Sequence, residues 1–228
     1  IFYYKLDISK YDDVFAVFKD VFIEHGGIDV LINNAGVLGP AGIFDEIGMD
    51  QWRENLNINL FGAANTMHVA LKLMKKKGFG KIINISGGGA VKPLPSLSGY
   101  SISKTALVRL TETLAHEYLP HNIQINSIAP GFIVTGIHDE LLKNTEKLSS
   151  DLLLDFTKKI QMGGDDPQLT ADLCFFLASE MANHISGKNI SAVYDDWKSL
   201  ASISLSLSSP LYTLRRVDNN TIFHKDKD

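Results

Sequence analysis

The sequence predicts an α/β fold in which a parallel sheet is doubly wound, with helices on both of its faces. Short apolar runs alternate with longer segments whose apolar residues recur at helical spacing, the pattern of repeated strand–helix–strand units. The apolar runs are continuous rather than alternating, as expected for parallel strands buried on both faces. The chain of 228 residues is long enough for one such domain with its own core.

The individual elements follow from these patterns. Strands are expected where short apolar runs occur, at 1–6, 28–32, 81–85, 123–128 and 189–193. Helices are expected where apolar residues are spaced three and four apart and glycine or proline ends the pattern, at 14–25, 50–76, 99–119 and 167–179, with one or two short helices in 136–162. These elements make up a predicted domain over residues 1–197. Residues 198–228 are serine-rich and then charged, and are expected to form a C-terminal extension of unknown role.

The composition narrows the classes of function. The net charge of −4 offers no basic surplus for nucleic acid or for an anionic membrane surface, so neither is expected as a partner. Cys174 is the one cysteine, which excludes an intramolecular disulfide and fits a reducing, cytoplasmic compartment. No apolar run is long enough to cross a bilayer. The seven histidines are scattered without a metal-binding spacing, so no metal is expected.

The pair Tyr100 and Lys104 carries the chemistry that the sequence predicts. Residues four apart on a helix share a face, so the ammonium of Lys104 can lie near the phenol of Tyr100. Because a nearby cation favours the phenolate, we expect the pKa of Tyr100 to lie below its ordinary value of about 10. A phenol tuned in this way can serve as a general acid and base. A tyrosine and a lysine at this spacing are common, so their surroundings must support the prediction.

Polar and small residues follow the predicted strands, where a parallel sheet has its ligand crevice. Ser86 follows the strand 81–85 and can offer a hydroxyl to a substrate oxygen. The turn 33–36, Asn-Asn-Ala-Gly, lets a flat ligand approach the backbone closely. Asn59 lies inside a predicted helix, where asparagine is a mediocre helix former and often has a special role. The segment 130–135, Pro-Gly-Phe-Ile-Val-Thr, forms a rigid turn whose backbone can face a ligand.

Taken in order, N-N-A-G, the helical asparagine, a serine before Y-x-x-x-K, and P-G-x-x-x-T resemble the motifs of the classical short-chain dehydrogenase/reductase family. The resemblance extends over most of the chain, from about residue 7 to residue 195. It implies a Rossmann-type sheet and an NAD(P)-dependent oxidoreductase that transfers a hydride between the cofactor and an alcohol or ketone substrate.

The resemblance also implies roles for particular residues. The catalytic residues would be Asn59, Ser86, Tyr100 and Lys104. Tyr100 would exchange the proton, and Ser86 would hold the substrate oxygen. Lys104 would lower the pKa of Tyr100 and bind the nicotinamide ribose, while Asn59 would help hold a water in the proton relay. Besides Tyr100 and Lys104, the residues expected to contact NAD or NADP are Asp7 (near the adenine), Ile8, Asn34, Ala35, Gly36, Pro130, Gly131, Ile133 and Thr135.

Two features depart from the family's pattern. The family usually has its serine thirteen residues before the tyrosine, and that position here is Gly87. Ser86 stands one residue earlier, and the glycine run after it can let its hydroxyl occupy the same space. Alternatively, Ser86 only ends the strand, and Ser96, Ser98 or no residue takes the role. The family's G-x-x-x-G-x-G phosphate loop is also absent, so we expect the chain to lack the first β-α-β portion and to bind the cofactor weakly or not at all.

Three functions are therefore compared. The favoured one is a hydride-transfer enzyme. A non-catalytic member of the fold, or an inactive fragment acting as a binding or structural module, is favoured by the missing phosphate loop and by Gly87. A sugar-nucleotide epimerase or dehydratase would share the Tyr–Lys pair, but the N-N-A-G turn, the modest length and the P-G-x-x-x-T segment argue against it. The family commonly pairs subunits through its two long helices, here 50–76 and 99–119, so a homodimer or homotetramer is expected.

Overall fold

Four parallel strands form the sheet of this computed structural model, which describes residues 1–138, 145–203 and 205–217. The strands are β1 (Val30–Asn33), β2 (Gly80–Ile85), β3 (Ile123–Ala129) and β4 (Asn189–Ser191), adjacent in the order β1-β2-β3-β4. The register pairs Asn33 with Asn84 and Asn84 with Ser127. Because all four strands run in one direction, their carboxyl ends meet along a single edge of the sheet.

Helices connect the strands. Those of the described ranges are α1 (Tyr11–His25), α2 (Met49–Leu56), α3 (Ala63–Lys77), α4 (Ser98–Tyr118), α5 (Ser150–Gln161) and α6 (Pro167–Ala178). A π-helical segment, Asn57–Gly62, joins α2 to α3, so the helix predicted over 50–76 is one helical stretch with a widened turn in its middle. Short 3₁₀ turns lie at Gly136–His138, Thr145–Lys147 and Trp197–Ser202. The part of the predicted helical region that covers 139–144 lies outside the described residues.

Two of the apolar core clusters lie on the two faces of the sheet. Successive strand side chains point to opposite faces, and Ile82 belongs to one cluster whereas Ile83 belongs to the other. The first cluster joins the sheet to α1, α3 and α4. The second joins it to α6 and to the segment after β4. The predicted doubly wound α/β class is confirmed.

The local signals that predicted helix ends are also present. Gly26 ends α1 in the left-handed conformation, with φ of 78°, and its N–H donates to the carbonyl of Phe22 at 2.9 Å. Asp166 precedes Pro167 and caps α6, because its side chain accepts a hydrogen bond from the N–H of Gln168 at 2.9 Å. None of the described helices is both long enough and apolar enough to span a lipid bilayer.

The strand predicted over 1–6 is wrong. Residues 1–7 form no regular secondary structure, although the segment is apolar and aromatic. A strand exists only where a neighbouring strand completes its ladder of hydrogen bonds, and no described strand pairs with this segment. Local composition predicts the propensity for a strand but not the presence of its partner.

The predicted extension after Trp197 continues into the core. Leu200 and Leu205 are buried in the second apolar cluster, and Tyr212 packs against it. The N–H of Asn189 in β4 donates to the carbonyl of Tyr212 at 2.7 Å, so the tail runs beside the last strand. The boundary predicted at residue 197 therefore falls inside a packed region.

Candidate active site

A cavity of about 1080 Å³ opens at the carboxyl edge of the sheet. Its wall includes residues from the ends of β1, β2 and β3 and from the first turn of α4, as expected for the ligand crevice of a parallel sheet. The sequence-predicted residues that line it are Asn34, Gly36, Ser86, Tyr100, Lys104, Pro130, Gly131, Ile133 and Thr135.

Tyr100 and Lys104 lie together in this cavity on one face of α4. The ammonium of Lys104 is 5.9 Å from the centroid of the Tyr100 ring, and it donates a hydrogen bond to the carbonyl of Ile85 at 2.8 Å. Lys104 is buried, whereas Tyr100 is partly exposed to the cavity. The predicted spatial pairing of the two side chains is thus present.

The predicted pKa of Tyr100 is wrong in direction. Burial raises the pKa of Tyr100 to about 12, because removing water penalises the charged phenolate. Burial also lowers the pKa of Lys104 to about 8, because the same loss of water penalises the ammonium. Residue spacing placed the cation near the phenol but gave no measure of the desolvation of either group.

Asn59 holds the loop after β1 against the helix that carries the pair. In the π-helical segment, its amide accepts from the N–H of Val37 at 2.8 Å and donates to the carbonyl of Val37 at 2.8 Å. The same amide nitrogen donates to the hydroxyl of Ser103 at 3.1 Å, and that hydroxyl donates to the carbonyl of Tyr100 at 2.8 Å. Asn59 therefore links the loop after β1, the π-helical segment and α4 in one network.

Ser86 and Gly87 occupy different surroundings at the end of β2. The hydroxyl of Ser86 lies 2.9 Å from the carbonyl oxygen of Ile128 and 2.9 Å from the amide oxygen of Asn189, so it ties β2 to β3 and β4. A Cβ atom placed on Gly87 would lie 2.2 Å from the hydroxyl of Tyr100. The Tyr100 hydroxyl thus fills the space that a side chain at position 87 would need.

The two other serines considered for the substrate-holding role have structural contacts. The hydroxyl of Ser96 accepts from the N–H of Ser149 at 3.0 Å. The hydroxyl of Ser98 accepts from the indole N–H of Trp52 at 3.2 Å. Neither residue is among those that line the described cavity.

Three of the predicted cofactor contacts lie outside the lining of the cavity: Asp7, Ile8 and Ala35. Asp7 forms a turn before α1, where it accepts from the N–H of Ser9 at 3.1 Å and from the Ser9 hydroxyl at 2.7 Å; these bonds lower the pKa of Asp7. Ile8 packs against Gly62, and its carbonyl accepts from the side chain of Asn65 at 3.0 Å. Their role in cofactor binding stays a prediction.

Sequence reasoning missed Asp165, which fixes the turn after β3. Its carboxylate accepts from the N–H of Phe132 at 2.6 Å, and its own N–H donates to the carbonyl of Phe132 at 2.8 Å. Gly131 has φ of 86°, and a Cβ there would lie 2.6 Å from that carboxylate, so only glycine fits without strain. In the sequence, the glycine pair Gly163-Gly164 before Asp165 was the signal that could have indicated a turn at this place.

The described residues contain no group of three or more histidine, cysteine, aspartate or glutamate side chains placed to hold a metal ion. The charged residues that line the cavity in the described part of the chain are Lys104 and Asp195. Most of the remaining wall is apolar or aromatic, and includes Leu94, Phe132 and Phe156.

The fold and the site define a doubly wound α/β protein with a Tyr–Lys pair at its ligand crevice. A family model described as short chain dehydrogenase matches residues 1–146. The chain belongs to the short-chain dehydrogenase family, which confirms the resemblance found in the sequence.

Known proteins agree with this assignment. The protein named dehydrogenase/reductase SDR family member 4 from Homo sapiens is 37% identical over 166 residues, which cover 73% of this chain and 58% of that protein. This chain thus spans less than two thirds of that relative's length. A solved structure of NAD⁺-bound xylitol dehydrogenase has a TM-score of 0.75 at 25% identity, covering 82% of this chain and 76% of the other. A structure of ElxO with NADP bound has a TM-score of 0.72 at 30% identity, covering 84% of this chain and 76% of the other.

Proposed function

We propose that this protein is an NAD(P)-dependent oxidoreductase that interconverts an alcohol and its ketone, with Tyr100 as the proton-transferring group. The observation that carries the proposal is the placement of Tyr100 and Lys104 in one cavity at the carboxyl edge of the sheet. Family membership and the likeness to NAD⁺-bound and NADP-bound structures support it.

The residues around Lys104 fit the sugar and ring of a nicotinamide cofactor. A Cβ on Gly36 would lie 3.4 Å from the ammonium of Lys104 and 3.1 Å from the amide oxygen of Asn59, so the bare backbone leaves room there. An ammonium has three donors, and one of those on Lys104 is bonded to Ile85, which leaves donors for ribose hydroxyls. We propose that Asn34, Gly36, Ile133 and Thr135 contact the cofactor, because all four line the cavity.

In the reductive direction, Tyr100 donates its proton to the carbonyl oxygen of the substrate. Its raised pKa keeps the phenol protonated at neutral pH, which is the form that an acid needs. The phenolate left behind is stabilised by the ammonium of Lys104. The cofactor, when bound, supplies or accepts the hydride.

Asn59 and Ser103 keep these groups in place. Because Asn59 bonds both the loop at Val37 and the hydroxyl of Ser103, it fixes α4 relative to the loop that follows β1. The predicted role of Ser86 at the substrate oxygen stays a proposal. In that role its hydroxyl would have to leave Ile128 or Asn189.

The cavity favours a substrate with an apolar body. Among its described lining residues the charged ones are Lys104 and Asp195, whereas Leu38, Phe132 and Phe156 on its wall belong to one apolar cluster. Sites of this kind bind the bulk of a small molecule by apolar contact and orient it with a few polar groups.

The substitution Tyr100→Phe tests the proposal. Removing the hydroxyl should lower turnover of ketones by about 10²–10⁴-fold, the range typical of a lost general acid. Binding of NADH and NADPH, measured by titration calorimetry, should not change, because the ring remains. Reduction is followed by the loss of the absorbance of the reduced cofactor. Undiminished turnover in the variant would contradict the assignment, and a protein that binds neither cofactor would support the non-catalytic alternative.

We further propose that copies of the chain associate through their long helices. We also propose that the protein works in a reducing compartment such as the cytoplasm. Phe61 in the π-helical segment is 54% exposed and Ile102 on α4 is 48% exposed, so both helices present apolar side chains that a second copy can cover. Cys174 has no cysteine partner in the sequence, which fits a compartment without disulfides. Light scattering on the purified protein measures the association.

A further inference from the structure

The tail of the chain forms part of the cavity wall. Tyr212, Thr213 and Leu214 all line the cavity, although they lie in the serine-rich and basic segment to which the sequence assigned no role. The tail has no regular secondary structure from residue 205 to residue 217, so specific contacts must hold it in place.

Glu112 is the centre of those contacts. It lies on α4 with 4% of its surface exposed, and one carboxylate oxygen accepts from the N–H of Leu214 at 2.6 Å. The other oxygen accepts from Arg215 at 3.1 Å and from Arg109. Arg109 also donates to the carbonyl of Leu214 at 2.5 Å. Glu112 and Arg109 together therefore join α4 to both the N–H and the carbonyl of Leu214.

Two further bonds hold the tail on the side of β4. Lys188, which is fully buried, donates from its ammonium to the carbonyl of Ser209 at 2.7 Å. The N–H of Asn189 donates to the carbonyl of Tyr212 at 2.7 Å. Tyr212 has φ of 59°, a left-handed conformation that costs free energy in a non-glycine residue unless its surroundings hold it.

A buried carboxylate is costly unless charged or N–H donors surround it. Of the donors on Glu112, the N–H of Leu214 and the guanidinium of Arg215 come from the tail. Release of the tail would leave Glu112 with Arg109 as its described partner, so the carboxylate and the docked tail stabilise each other.

We propose that Glu112 is a positioning residue that holds residues 209–215 as the outer wall of the substrate cavity, with Leu214 contacting the apolar part of the substrate. The inference rests on the proposed function for the identity of the ligand. Glu112 lies eight residues after Lys104 on the same helix, so α4 carries the proton-transfer pair at one end and the support of the wall further along.

The contacts of Glu112 with Leu214 and Arg215 are called the clamp below. The variant Glu112→Gln tests whether this clamp holds the tail. Glu117→Gln is its control, since Glu117 is an exposed glutamate on the same helix. Limited trypsin digestion followed by mass spectrometry measures cleavage after Arg215. Glu112→Gln should be cut about tenfold faster than the wild type, which corresponds to roughly 1.4 kcal/mol of lost free energy of tail docking. The control should be cut at the wild-type rate. Equal rates of cleavage in Glu112→Gln and the wild type would overturn the proposal that Glu112 holds the tail.

The variant Leu214→Ala tests whether the side chain of Leu214 contacts an apolar ligand in the cavity. It keeps the N–H and the carbonyl of residue 214, which make the backbone contacts with Glu112 and Arg109. It should leave trypsin cleavage unchanged and weaken binding of the apolar dye 8-anilinonaphthalene-1-sulfonate, measured by fluorescence, by about fivefold. In turnover assays it should raise the KM for a ketone with an apolar body and leave kcat nearly unchanged. Unaltered dye binding would overturn the wall assignment. If the wild type showed no turnover, the proposed function would fail, while trypsin and the dye would still decide the inference.

Discussion

Gly87 stands beside the hydroxyl of Tyr100, at a position where a side chain would collide with it. The 2.2 Å separation between a Cβ at this position and the hydroxyl means that a larger residue must push the phenol aside. The backbone at Gly87 is extended, with φ of 177°, so a substitution there causes no backbone strain of its own. In the proposed mechanism, position 87 therefore affects activity through the placement of Tyr100.

Gly87→Ala should lower kcat by about 100-fold, the loss expected when a reacting group is displaced by about 1 Å. Gly88→Ala is the matched control, because a Cβ there would come no closer than 4.0 Å to another atom. Both variants should unfold at the wild-type urea concentration. Equal kcat in Gly87→Ala and Gly88→Ala would show that the Tyr100 hydroxyl adapts without loss of function.

The lowered pKa of Lys104 sets the expected pH dependence of reduction. In the proposed mechanism the ammonium stabilises the phenolate, and it loses its proton as the pH rises through about 8. The rate of ketone reduction should therefore fall above that pH. In Lys104→Arg the charge persists to higher pH, so this decline should disappear even if the rate is lower. A decline at the same pH in both proteins would assign it to another group.

At the scale of elements, the π-helical segment determines where Asn59 points. The widened turn, Asn57–Gly62, lies between two ordinary α-helices and brings the amide of Asn59 to both polar groups of Val37. Such segments inside helices often occur at functional sites. The sequence indicated that an asparagine here was unusual, but 3.6-residue periodicity does not distinguish a π turn from an α turn.

Asn59→Ala should lower the free energy of unfolding by about 1–3 kcal/mol, because the N–H of Val37 would lose its partner and the carbonyl of Val37 would keep only the donor of Asn55 among the described residues. Asn57→Ala is the control: its side chain is exposed and donates only to Glu54, at 3.3 Å, in the described structure. Urea denaturation measures both. A destabilisation of Asn57→Ala as large as that of Asn59→Ala would indicate a general helix effect instead.

Elements whose signals are local were predicted well. The alternation of strands and helices predicted the sheet, and Gly26 and Pro167 marked helix ends that the structure has. The strand over 1–6 failed because it depends on a partner distant in sequence. Likewise, Tyr100 and Lys104 were found because they are four residues apart, whereas the contacts of Glu112 with Leu214 span 102 residues.

At the scale of the whole molecule, buried lysines link stability to pH. Burial lowers the pKa of Lys81 to about 8, although Glu180 opposes the shift, and burial lowers that of Lys104 to about 8. In the unfolded chain both lysines hold their protons up to about pH 10.5. Between these values the unfolded state binds more protons than the folded state, so stability increases as the pH rises.

The free energy of unfolding should accordingly rise between about pH 8 and pH 10, by about 1 kcal/mol per pH unit for each lysine. Above about pH 10 the raised pKa of Tyr100 acts in the opposite sense, since the folded state holds the phenol proton longer. Urea titrations at several pH values measure the curve. In Lys81→Met the rise should be smaller, and a fall in stability from pH 8 to pH 9.5 would contradict the prediction.

The sequence alone determined the α/β class, the family and the Tyr–Lys pair, because these depend on periodicity and on short spacings that local backbone geometry converts directly into position. Only the tertiary structure decided the direction of the Tyr100 pKa, the separate surroundings of Ser86 and Gly87, and the place of the tail in the cavity wall. Each of these depends on burial or on contacts between residues far apart in the chain, and packing alone sets both.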